Sequence, residues 1–192
     1  MRKLMRVTLA VAGIVGCVLL ASPSSSAQKL PKSIYIQAQA MGQSTQLGQT
    51  FNVTLIIEEF STADDQRALL TAFNEKKNEG LVNALNKMHT KGRMSITGTL
   101  GYDVAYIRQW PQPDGSTKYR LVTNRPITFG EAWSDSRSMD YSLSGVEIIM
   151  FPDKKKNTGT LLPAVQLKMN KENQLELETL QNPWKLVDIM QR

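Results

Sequence analysis

Residues 50–92 read TFNVTLIIEEFSTADDQRALLTAFNEKKNEGLVNALNKMHTKG, and within them the hydrophobic period changes once. From Thr50 to Phe60 apolar and polar side chains alternate. Phe51, Val53, Leu55 and Ile57 fall on one face, and Asn52, Thr54, Ile56 and Glu58 fall on the other. A period of two belongs to an antiparallel strand that is wet on one side. Ser61 or Thr62 can then cap a helix, and Asp64 and Asp65 follow in its first turn, where carboxylates favour the helix dipole. Leu70, Phe73, Leu81, Ala84, Leu85 and Met88 keep helical spacing, with Gly80 as a break. The stretch predicts a helical pair, over about 63–78 and 81–89, whose apolar stripes pack on a sheet. Phe60, just before the cap, helps fix the angle at which the helix leaves the strand.

Strand patterns surround this pair. Residues 34–40 precede it. Residues 93–99, 102–110, 118–123, 141–151, 160–170 and 174–180 follow it, joined by links such as PQPDGS and PDKKKNTG that carry turn residues. Short links between consecutive strands imply antiparallel hairpins. Asn182-Pro183 reads as the cap and first position of a short final helix through Ile189, with Trp184 and Val187 available for docking. The expected fold is therefore α+β. It is a curved antiparallel β-meander of about eight strands, with the helical pair inserted after strand 2 on one face and a short C-terminal helix. Asn52-Val53-Thr54 matches a glycosylation sequon and reads here as strand alternation.

The chain opens with Arg2, Lys3 and Arg6, then a largely apolar run from Val7 to Ala21, then SPSSSA. That is the layout of a secretory signal peptide, too short to span a bilayer, with Ser25 and Ala27 placed for cleavage. Residues 1–27 are expected to be removed, leaving 28–192 as a single domain. Ile14-Val15-Gly16-Cys17 resembles a lipobox and offers a second reading, lipidation at Cys17. The continued apolar run after Cys17 argues against it. Half of the formal charge of +6 leaves with the leader, so a nucleic-acid or membrane-surface partner has weak support. A membrane is expected only if Cys17 is acylated. Cys17 is also the only cysteine, and a cysteine-free exported domain fits a bacterial envelope.

His89 is the only histidine, near the expected end of the helical pair, where a cation favours the dipole. Serine and cysteine triads, two-histidine zinc sites and facial triads need residues that the processed chain lacks. No cofactor and no metal is expected. The densest chemistry lies in FGEAWSDSRSMDYSLSG, residues 129–145, which supplies Glu131, Trp133, Asp135, Arg137, Asp140 and Tyr141 as candidate binding residues. Their carboxylates could serve as acid and base, or could pair with Arg137 in an ordered loop. Lys154–Lys156 reads as a solvated hairpin tip. Tyr102, Tyr106 and Trp110 alternate with Val104 and Arg108 and read as a core stripe.

The segments KGRMSITGTLGYD, RPITFGEAWSDSRSMDYSLSG and NPWKLVDI together resemble a family of exported acidobacterial proteins with no assigned activity. The resemblance spans most of the processed chain and implies an envelope location, with no mechanism attached. The expected function is an exported, non-catalytic binding or interaction protein, periplasmic or extracellular. It would hold a small apolar ligand between helices and sheet, or an envelope protein. A hydrolase-like enzyme using the acidic residues of 129–145 is the alternative.

Overall fold

The computed structural model describes residues 29–127, 142–169, 175–179 and 182–192. Among these described residues nine strands form: β1 (Lys29–Met41), β2 (Thr50–Glu59), β3 (Gly92–Ile96), β4 (Tyr102–Pro111), β5 (Thr117–Thr123), β6 (Leu143–Met150), β7 (Thr158–Met169), β8 (Leu175–Thr179) and β9 (Trp184–Gln191). Every pairing is antiparallel. β1 to β7 follow one another around the sheet. β9 then inserts between β7 and β1 and closes the ring.

The fold is thus a closed eight-stranded barrel with β8 as an extra strand, and not an open meander. The expected C-terminal helix is the cause of the difference, because those residues form β9, the strand that makes closure possible. Its alternation is broken by one residue. Gln37 faces Met190 and Gln39 faces Val187, so Asp188 and Ile189 together stand opposite Ala38. That is a β-bulge, and it hides the period of two. β8 and β9 both pair with β7. Val165 faces Thr179 and Leu161 faces Trp184, so the two strands run in turn along β7 with registers one residue apart.

Inward side chains from every strand of the ring pack into one core, with Ile36, Leu55, Met94, Ile107, Leu121, Ile148 and Leu186 among the most deeply buried. Eight strands enclose a space that such side chains can fill. Trp184 lies against Phe51 at one end, with ring centroids 4.7 Å apart. Phe60 and Tyr119 meet at the other, at 6.4 Å.

The expected helical pair is a single helical segment, α1 (Ala63–Lys87), sharply kinked where Lys76 and Lys77 leave helical dihedrals. The break lies there and not at Gly80, which is buried with no room for a Cβ beside the Ala72 carbonyl. Thr62 and Asp65 form a reciprocal capping box at the start. α1 lies across the outside of the barrel. Leu69, Phe73, Leu81 and Leu85 pack on Ala105, Val122, Leu143, Leu162 and Val165. Leu69, rather than the expected Leu70, takes the buried position. The space between helix and sheet, where an apolar ligand was expected, is occupied by these side chains.

Lys91 fastens the two ends of the α1 excursion together. Its backbone carbonyl accepts from the Glu58 and Glu59 N–H groups of β2, and its own N–H donates to the Val104 carbonyl of β4. Its side chain is 4% exposed, with Nζ 2.7 Å from Glu59 Oε1 and 3.1 Å from Asp65 Oδ2. Burial opposes the charge on both Lys91 and Asp65. The hydrogen bonds and opposite charges outweigh it, holding the Lys91 pKa above its ordinary value and that of Asp65 below.

Three expectations follow. Leu81→Ala should cost about 2–5 kcal/mol of unfolding free energy in urea, since it opens a cavity in a fully buried layer. Lys91→Met should cost about 3 kcal/mol, because it leaves two carboxylates facing each other without their cation. Because the folded pKa of Asp65 is depressed, its contribution is present above the ordinary carboxylate range. It is lost as pH falls through the folded value. Urea midpoints at pH 7 and pH 3 should therefore differ less in Asp65→Asn than in the parent.

Candidate functional site

Closure leaves no sheet edge within the ring, so recognition through the barrel wall falls to outward side chains. On β4, β5 and β6 the outward rows are charged. Arg108 stands directly opposite Arg120, and Arg120 opposite Glu147. Both guanidinium groups lie over the Trp110 ring, at 5.3 and 5.5 Å from its centroid. Glu147 takes Arg120 at 2.6 Å and Lys118 at 3.1 Å, and Arg108 donates to the Gln66 side chain of α1. Burial raises the Tyr106 pKa, against the pull of Arg108. These groups are bonded to one another and tie the helix to the wall.

The expected core stripe of β4 is divided. The register shifts between Val104 and Tyr106. Tyr102 therefore packs inside, whereas Tyr106 lies against the outer core beneath α1, with Arg108 and Trp110 following it on the outer surface.

The opposite wall, β9, β1 and β2, has a different character. Gln37 pairs with Thr54 and Gln39 with Asn52, which sets four amide or hydroxyl side chains side by side on the outer face. Successive outward residues on a strand are roughly 6.5–7 Å apart and cross-strand partners about 5 Å apart. The bulge in β9 adds a fifth polar group. An unbroken strand would turn alternate residues inward, but the extra residue lets both Val187 and Asp188 lie outside while Ile189 still reaches the core. Asp188 adopts φ +51° to do so, a left-handed conformation that Asp tolerates better than most residues.

A groove of about 440 Å³ results, lined by Gln37, Gln39, Asn52, Thr54, Asp188 and Met190. None of its five polar side chains is hydrogen-bonded to another group among the described residues. Some amides elsewhere are committed, Asn78 to Gln166, Asn124 to Asn86 and Gln166 to Glu178. Tyr35, the next outward residue on β1, is 42% exposed, and Met190 is 51% exposed.

Glu131, Trp133, Asp135, Arg137, Asp140 and Tyr141, which the sequence marks as binding candidates, lie outside the described residues, as does Cys17. His89 is exposed just beyond the end of α1, and Lys154–Lys156 form an exposed 3-10 turn at the β6–β7 link. Among the described residues no three His, Cys, Asp or Glu side chains converge as a metal site. The buried Ser144 hydroxyl is 2.5 Å from Thr123 Oγ1 and donates to the Arg125 carbonyl at 3.0 Å, so it is committed structurally. The groove residues escaped the sequence reading because amides on the polar face of a strand look like a solvated surface. The signal available was the run of Gln37 and Gln39 beside Asn52 and Thr54, with no lysine or glutamate among them.

A closed antiparallel barrel with an outward polar groove is compatible with a ligand-binding or interaction protein. Comparison with protein-family profiles, with curated proteins and with solved structures finds no match for this chain.

The bulge gives a direct test of how the groove is held. Asp188→Val should lower the unfolding free energy by about 1–2 kcal/mol, since a β-branched residue strains the left-handed conformation. Asp188→Gly, which adopts it freely, should stay within about 0.5 kcal/mol of the parent. Urea unfolding of both variants measures the difference.

Proposed function

We propose that this chain is an exported, non-catalytic binding protein of the bacterial envelope, and that the groove across β9, β1 and β2 is its contact surface. The observation that carries this reading is five polar side chains that line one groove on paired strands and have no hydrogen-bond partner among the described residues. Unbonded donors and acceptors gathered in a concavity favour a ligand that completes them. Export rests on the leader: Arg2, Lys3 and Arg6, the apolar run to Ala21, and small residues at Ser25 and Ala27. The packed layer beneath α1 argues against the apolar ligand expected between helix and sheet, and the contact surface proposed instead is the outer wall.

The test is the mass of the protein extracted from its own cells, measured native and then denatured. A denatured chain beginning at Gln28 supports release, whereas one beginning at Cys17 with acyl mass overturns it in favour of a tethered form. Native mass in excess of the chain should vanish in the double variant Gln39→Ala/Asn52→Ala. Excess mass retained by that variant would place the binding surface elsewhere.

A further inference from the structure

We infer that the groove takes an uncharged polyhydroxylated ligand, a glycan, with Gln37, Gln39, Asn52 and Thr54 reading its hydroxyl groups and Tyr35 stacking on a ring. This rests on the reading of the groove as the contact surface and adds the class of ligand. The chemistry of the lining selects it. A sugar hydroxyl both donates and accepts. Each of the three amides presents a donor and an acceptor side by side, and so can hold two neighbouring hydroxyls at once. The Thr54 hydroxyl also does both, and the Asp188 carboxylate accepts two more donors.

Other ligand classes fit less well. A phosphate or carboxylate would meet Asp188, with no lysine, arginine or histidine in the lining. A hard cation wants several oxygen ligands with more charge than one carboxylate supplies. An apolar molecule would cover the amides and leave them unsatisfied. A peptide binding by strand addition needs a free edge, and β1 is paired on both sides, with β2 and with β9.

Geometry agrees with the chemistry. The four amide and hydroxyl groups form a two-by-two grid on a stiff sheet, at cross-strand and along-strand spacings comparable to a sugar ring. Tyr35 continues the same face of β1 and leaves its ring accessible to the C–H face of a sugar. Asp188 is brought to the groove by a bulge and a left-handed backbone, a combination that gathers at binding sites because it re-aims a side chain.

The experiment is a heteronuclear NMR titration of the protein with three neutral trisaccharides: triacetylchitotriose, cellotriose and maltotriose. The expected result is saturable movement of the Gln37, Gln39 and Asn52 side-chain amide signals with at least one of them. Gln39→Ala/Asn52→Ala should weaken that sugar tenfold or more, and Tyr35→Ala severalfold. Asp188→Gly keeps the bulge while removing the carboxylate, and should also weaken binding. A well-dispersed spectrum that none of the sugars perturbs at the groove overturns the glycan assignment, as does an equal response in the double variant. A parallel titration with a sugar-depleted envelope extract separates the two readings. Groove signals that move with that extract and with no sugar leave the contact surface standing and remove the glycan. Signals that move with neither remove both.

Discussion

The buried Lys91 ammonium, held between Glu59 and Asp65, is the constraint on which the closed sheet depends. The chain leaves β2 at Glu59, makes the whole of α1 on the outside of the barrel, and must return as β3 beside the strand it left. Lys91 sits at that return. Its backbone is hydrogen-bonded to β2 and β4, and its side chain holds one carboxylate from the end of β2 and another from the first turn of α1. A buried ion pair adds little net stability over an apolar core, but its geometry is demanding. Here that demand falls on register. If β3 slipped by one residue, Gly92, Met94 and Ile96 would trade faces with Arg93 and Ser95.

Closure also explains where recognition can occur. Open sheets bind through edges or through the clefts under their covering helices. In this molecule the ring has no edge and the helix sits on a packed layer. The wall is divided by what its outward residues do. On β4 to β6 they bond to one another: Arg108 and Arg120 flank Trp110, and Glu147 joins Arg120 to Lys118. Directly opposed arginines repel, and the aromatic ring and the carboxylate offset that cost. On β9, β1 and β2 the groove is lined by neutral amides, a hydroxyl, the Asp188 carboxylate and Met190, and among the described residues these side chains form no such network.

Much of this was legible in the sequence at the level of elements, and little at the level of closure. Alternation in Phe51–Ile57 and the Thr62–Asp65 cap give β2 and the start of α1 directly. Three features resist such reading, the first two because they depend on distant pairing. The β9 segment carries an Asn-Pro helix signal and an alternation interrupted at Asp188, and only the partners β1 and β7 make it a strand. The bulge at Val104–Tyr106 reverses parity within β4, so Tyr102 and Tyr106 belong to different cores. The kink at Lys76–Lys77 has no proline or glycine to announce it, whereas Gly80, which looks like a breaker, serves close packing against the Ala72 carbonyl. The candidate site failed to show for a related reason. Amides carry no unusual chemistry one by one, and their grid stands out only once strand register places Gln37 beside Thr54 and Gln39 beside Asn52.

The placement of those amides on adjacent paired strands bears on how tightly they can act. A side chain on a loop must be ordered when it binds, and that ordering opposes association. Gln37, Gln39, Asn52 and Thr54 stand on backbones fixed by hydrogen bonds on both sides, and all but the exposed Asn52 are half-buried. Their remaining freedom is confined to a few side-chain torsions. The same rigidity limits selectivity to ligands whose hydroxyl spacing matches the sheet. The carboxylate contributed by Asp188 differs in kind, since its position is fixed by the bulge that β9 needs in order to run beside β1 while keeping Ile189 in the core. One backbone irregularity therefore serves both ends: it lets the last strand close the barrel, and it turns a charge outward that a regular strand would not present there.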